Sequence, residues 1–109
     1  MEVKAIAKDT GISPRKVRPI ADMIRGKKVD EALALLKFTP TPTAQVVAKV
    51  VKSAAANAEN NFELVPSELK IVNIFVDEAR TLKRYRARAR GRVAPILKRS
   101  SHITVIVAD

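Results

Sequence analysis

Apolar side chains at the start of the chain alternate with polar ones. Residues 2–8, EVKAIAK, set Val3, Ala5 and Ala7 on one face and Glu2, Lys4 and Lys8 on the other, with Ile6 interrupting the polar side. That period of two predicts a half-buried strand. The spacing then turns helical, with Ile12, Val17, Ile20, Ala21 and Ile24 on one face. Ser13 and Pro14 supply the start signal, the serine hydroxyl being expected to accept from a free N–H, and Gly26 supplies the stop. Pro19 removes a donor from the interior and predicts a kink or an irregular first turn. A second helix is expected over VDEALALLKF, 29–38, with Asp30 and Glu31 in its first turn and Lys37 in its last, matching the helix dipole. A third opens at Thr41 and Pro42, runs through AQVVAKVVKSAAANAENN, 44–61, and carries a stripe of Val47, Val50, Val51, Ala54 and Ala58. Asn57, Asn60 and Asn61 are candidate caps at its end, and ENNFELVPSE, 59–68, reads as a loop.

The last third changes character. KIVNIFV, 70–76, and HITVIVA, 102–108, are rich in β-branched residues and predict two strands. Two strands around one intervening segment most simply pair antiparallel. With the first strand they give an α+β fold in which three helices pack on a three-stranded antiparallel sheet, with a long protruding β-hairpin. The expected organisation is a single domain, 1–109, containing an extended basic arm, 80–99.

The segment between the strands explains why it should protrude. RTLKRYRARARGRVAPILKR, 80–99, holds nine lysines and arginines and no acid, whereas residues 1–79 hold ten acids against twelve basic residues. Most of the formal charge of +10 therefore sits on the arm. Arg84, Arg86, Arg88, Arg90 and Arg92 occupy successive even positions, which a strand would place on one face, opposite Tyr85, Ala87, Ala89, Gly91 and Val93. Neither face suits a protein core. An extended ribbon would reach about 34 Å in roughly ten residues, and an isolated two-stranded ribbon is marginal in water, so a partner is expected to order it.

A polyanion fits that partner. Guanidinium groups grip phosphate bidentately, small residues admit close backbone approach, and Tyr85 can stack on an unpaired base. Arg15, Lys16, Arg18, Arg25, Lys27 and Lys28 add a second basic group around the first helix, whose N-terminal N–H groups at Ser13 suit a phosphate. Gly91 is expected at the hairpin turn.

Other chemistry is absent from the sequence. With no cysteine there are no disulfides or thiolate metal sites. The single histidine, His102, lacks a neighbouring nucleophile and reads as a structural hydrogen-bonding residue. Asp77 with Glu78 and Asp30 with Glu31 are surface pairs rather than a metal centre. No phosphate-binding loop or nucleophile elbow occurs, so neither an enzyme nor a cofactor is expected. The opening residues carry no apolar leader and no run suits a membrane helix, which points to the cytoplasm.

Taken in order, ISPRKVR (12–18), IRGK (24–27), SAAANAENN (53–61), VDEARTLKRYRARARGR (76–92) and KRSSHITVIV (98–107) closely resemble the bacterial large-subunit ribosomal proteins of the twenty-two family. The resemblance runs the length of the chain. It implies a structural constituent of the large subunit that binds large-subunit rRNA at several domains and supports subunit assembly. It also implies a hairpin that lines the nascent-peptide exit tunnel, near the macrolide site. The implied RNA-binding residues are Ser13, Arg15, Lys16, Arg18, Arg25 and Lys27, and on the arm Arg80, Lys83, Arg84, Tyr85, Arg86, Arg88, Arg90, Arg92, Lys98 and Arg99. The implied tunnel-lining tip comprises Leu82, Lys83, Arg84, Arg88, Arg90, Gly91 and Arg92. Large-subunit rRNA, neighbouring ribosomal proteins and the nascent peptide are the implied partners, with no membrane contact and no homo-oligomer. Ala79 and Ala87 depart from the family, which often has glycine and proline there; Ala87 keeps an N–H that proline would lack. The alternative from the residues alone is an architectural DNA-binding protein with a β-ribbon arm.

Overall fold

The computed structural model describes residues 2–87, 89–91 and 93–109. In chain order they form strand β1 (Glu2–Ala7), helices α1 (Pro14–Ile24), α2 (Val29–Phe38) and α3 (Pro42–Phe62), then strands β2 (Lys70–Glu78), β3 (Leu82–Ala87), β4 (Val93–Lys98) and β5 (Ser101–Ala108). β5 is the central strand of an antiparallel sheet of order β1-β5-β2, and β3 pairs only with β4 in a separate ribbon. The α+β arrangement expected from the sequence is the one found.

Strict alternation along β5 builds the core. Ser101, Ile103, Val105 and Val107 are buried under the helices, while His102, Thr104, Ile106 and Ala108 turn to the other face. Val105 lies between Ala5 on β1 and Ile74 on β2, and Val107 between Val3 and Ile71. Ile71 and Ile74 are three residues apart yet both buried, because a bulge between Ile71 and Asn73 adds one residue to β2 and leaves Val72 exposed. Val17, Ala21 and Ile24 from α1 and Val47, Val51 and Ala54 from α3 close over this face, and Ala32 and Leu36 of α2 extend the same core by packing on α3. The dominance of alanine and valine lets the helices sit close to the sheet; each buried valine or isoleucine contributes about 1.5–3 kcal/mol.

Several local expectations are corrected. Ser13 precedes α1, but its hydroxyl makes no capping bond; its carbonyl instead accepts from Lys16 N–H at 3.0 Å. Pro19, where a kink or irregular first turn was expected, falls inside the continuous helical segment Pro14–Ile24 and is exposed, which sets its missing donor on the solvent side rather than in the core. Thr41 does cap α3, its hydroxyl accepting from Ala44 N–H at 3.3 Å. That helix continues through Phe62, so residues 59–61, which the sequence places both in the helix and in the loop, are helical, and a short 3-10 turn covers Pro66–Glu68. The cap at its end is Glu63, left-handed at φ 53, and Leu64 N–H returns to the Ala58 carbonyl, so the asparagines are not the cap.

The turn between α1 and α2 is bonded to β2. Gly26, left-handed at φ 82, donates to the Ile71 carbonyl, Ile71 donates back to Lys27, and Val29 donates to Leu69. Farther along the same edge, Arg25 Nη2 donates to the Ile74 carbonyl at 2.9 Å and Arg18 Nη2 to that of Val76 at 3.4 Å. The β3–β4 ribbon makes the molecule elongated. Its radius of gyration is 16.9 Å and its extents are 62 × 26 × 17 Å, whereas a compact chain of this length has a radius of gyration near 13 Å.

Candidate nucleic-acid interface

The arm grows directly out of the sheet. Glu78 pairs with Ser101 as the last rung of β2 and β5, Ala79 N–H reaches the Ser100 carbonyl at 3.0 Å, and the ribbon begins where Leu82 pairs with Lys98. Two serines fix this root to the loop after β1. Ser101 Oγ lies 2.8 Å from Thr10 Oγ1, and Ser100 Oγ accepts from Gly11 N–H at 2.9 Å. His102 plays the structural part expected of it, its Nδ1 accepting from Asp9 N–H at 3.1 Å.

Register sorts the arm residues onto two faces. Leu82, Arg84 and Arg86 lie opposite Lys98, Ile96 and Ala94, while Lys83, Tyr85 and Ala87 lie opposite Leu97, Pro95 and Val93. The even face thus interleaves arginine with Leu82 and Ile96, and the odd face is not merely small. Tyr85, 71% exposed, sits across from exposed Pro95, with half-exposed Leu97 beside it, an aromatic and apolar strip suited to stacking. Both correct the expectation of one wholly cationic face and one with little apolar area.

The strand alternation stops before the tip. Ala87 pairs with Val93, and Arg90 and Gly91 are both left-handed, at φ 64 and φ 70. Arg90 therefore belongs to the turn rather than to a row of strand arginines, and Gly91 holds the turn position expected of it. Arg88 and Arg92 lie outside the described residues.

At the root, cations distant in sequence converge. A cleft of about 480 Å³ is lined by Ser13, Arg15 and Arg18 from the start of α1 and by Lys83 and Arg99 from the arm, with Glu78 as its one acid. A second, of about 840 Å³, lies between the beginnings of α1 and α3 and is lined by Lys16, Thr41, Thr43, Lys98 and Arg99. The first residues of α1 line both clefts and those of α3 line the second, so the positive ends of the helix dipoles favour an anion there. The contribution of α3 was not anticipated, although Thr41 and Pro42 repeat the pattern of Ser13 and Pro14.

Arg25 and Lys27 stand apart. They follow the far end of α1, about 16 Å from its start, and Arg25 holds Asp22 Oδ1 at 2.6 Å as well as the Ile74 carbonyl. Arg80 is exposed in the short connection to the arm. Among the described residues no cluster of acids and histidine could hold a metal ion, and no helix is long and apolar enough to cross a membrane.

Comparison with known proteins identifies the family. Residues 5–108 match the family model described as ribosomal protein L22p/L17e. A large ribosomal subunit protein uL22 from Dehalococcoides mccartyi is 69% identical over the whole of both chains. Proteins of the same description from Pelotomaculum thermopropionicum and Desulforamulus reducens are each 57% identical over all of this chain and 96% of their own length. Interleaved arginines on a ribbon, a cationic root and a match across nearly the full chain lead to one assignment: the chain belongs to the ribosomal protein L22p/L17e family.

Proposed function

We propose that the chain is a structural, non-catalytic constituent of the large ribosomal subunit in the cytoplasm, bound to large-subunit rRNA through its arm and the root of that arm. The convergence of Arg15, Arg18, Lys83 and Arg99 on one cleft between a helix N-terminus and the ribbon carries the reading. Phosphate entering there meets guanidinium and ammonium groups together with the positive end of α1. A strand of RNA passing along the ribbon then finds the arginines with Lys98 on one face, and Lys83 with Tyr85 as a stacking surface on the other. Lys16, Lys98 and Arg99 offer a second contact at the neighbouring cleft, so the protein bridges RNA segments and supports subunit assembly. Arg25 and Lys27 join the interface where the RNA follows α1 to its far end.

Resemblance extends the proposal to the tip. Leu82, Lys83, Arg84, Arg90 and Gly91, together with Arg88 and Arg92, form the part that lines the nascent-peptide tunnel. Their narrow ribbon, two strands wide, suits threading between RNA helices. The arm's elongation supports this role, since nothing in the α/β body would cover it.

The experiment is sedimentation of a tagged copy expressed in bacterial cells, through a sucrose gradient after a high-salt wash. Stoichiometric retention on the large subunit is the expected result. Release into the soluble fraction, or recovery with the nucleoid, would overturn the ribosomal assignment and favour a DNA-binding β-arm.

A further inference from the structure

On the side formed by α2 and α3 lies a groove that no part of the RNA reading uses. Leu33 and Ala34 of α2 and Ala48 of α3 line its apolar walls. Lys37 rims one side, and Lys49 and Lys52, three residues apart on one face of α3, rim the other; among the described residues its lining includes no acid. Leu35, 38% exposed, and Phe38, 81% exposed, belong to a separate shallow hollow on α2 that they share with Lys27, Glu31 and Ala34, only Ala34 being common to both.

We infer that this groove docks an amphipathic helix of another protein, with acidic residues flanking the apolar stripe of that helix. Charge and shape together select such a partner. Two packed helices leave a trough that a third can enter, reading leucine-like anchors at spacings of three and four. Cations on both rims match carboxylates on both flanks of the incoming helix and repel a basic one. RNA fits the site less well. The groove has lysines but no arginine forks, and its walls would set apolar carbon against sugar and phosphate, whereas the arm supplies arginine and Tyr85 on an open ribbon. None of the arm or root cations takes part, so this docking stands or falls separately from RNA binding.

The test uses the full chain, isotope-labelled for amide NMR, and two helical peptides of about 18 residues with the same leucine stripe, one flanked by glutamates and one by lysines. The glutamate peptide is expected to shift amides in residues 33–39 and 45–52, and the lysine peptide to leave them unmoved. Lys49→Glu with Lys52→Glu, both exposed and therefore compatible with folding, should weaken the glutamate peptide about tenfold and leave RNA binding by the arm intact. Equal binding of both peptides, shifts confined to the arm, or movement of these amides by an oligouridylate in place of the peptide would each overturn the inference.

Discussion

Replacing Lys83 and Arg99 together by alanine tests the root cleft most directly. Both side chains are exposed and both line the cleft beside Arg15 and Arg18, so their loss removes charge without opening the core. Each phosphate contact releases condensed counterions and contributes roughly 0.7–0.9 to the slope of log K against log salt. Two contacts therefore contribute roughly 1.4–1.8. Between 50 and 200 mM salt, a fourfold change, the native chain should lose about tenfold more affinity than the variant. The assay is filter binding to a transcribed large-subunit RNA fragment across that salt range, with thermal melts run alongside to show that the fold is kept. Parallel lines for the two proteins would mean that neither residue touches phosphate, and the cleft would lose its place in the interface.

Three further outcomes follow from the fold. Val105→Ala, fully buried in the central strand, should cost about 2 kcal/mol and lower the melting temperature by roughly 8–16 °C; a shift below about 3 °C would show that β5 is not the centre of the core. Arg25→Ala removes the bond to the part-buried Ile74 carbonyl and should cost about 1 kcal/mol, whereas Asp22→Asn, which breaks only the exposed ion pair, should fall within about 0.5 kcal/mol in a denaturant titration; equal losses would mean that the carbonyl contact contributes nothing. Amides of residues 83–86 should exchange with solvent at least about a hundredfold faster than that of Val105 in the free protein, because the ribbon has no third strand and no helix packed on it; equal protection would show an arm ordered without RNA.

Legibility in the sequence depended on whether a signal was local. The stripe Val47, Val50, Val51, Ala54 and Ala58 announces α3, and alternation from Ile103 to Val107 announces β5, since burial on one face imposes its period on the residues that line it. Antiparallel pairing of the last two sheet strands followed from chain order, whereas the central place of β5 between β1 and β2 came only from the structure. The arm was legible too, because so cationic a segment has no place in a core. Signals that depend on backbone reversal were misread. Arginines at even positions continue through Arg90, but the chain turns there with positive φ, so a constant spacing in sequence spans two different geometries. The bulge after Ile71 and the helical state of residues 59–62 are likewise settled by packing rather than by composition. Least visible was the root cleft, because Arg15 and Arg99 meet only once β2 and β5 have brought the arm beside α1, which no local window contains.

The arginines on the outer edge of β2 bear on the life of the chain before it meets RNA. A newly made protein of this kind has a sheet that ends in an open strand, the feature from which strand-by-strand polymers grow. Gly26, Lys27 and Val29 seal the first half of that strand, and Arg25 and Arg18 lay guanidinium groups across the Ile74 and Val76 carbonyls that a neighbouring copy would need. An incoming strand must first displace two charged donors and then accept their positive charge at the seam. Two cations of the proposed RNA surface thus keep unassembled copies from joining one another along β2, and solubility while waiting is written into the edge of the sheet.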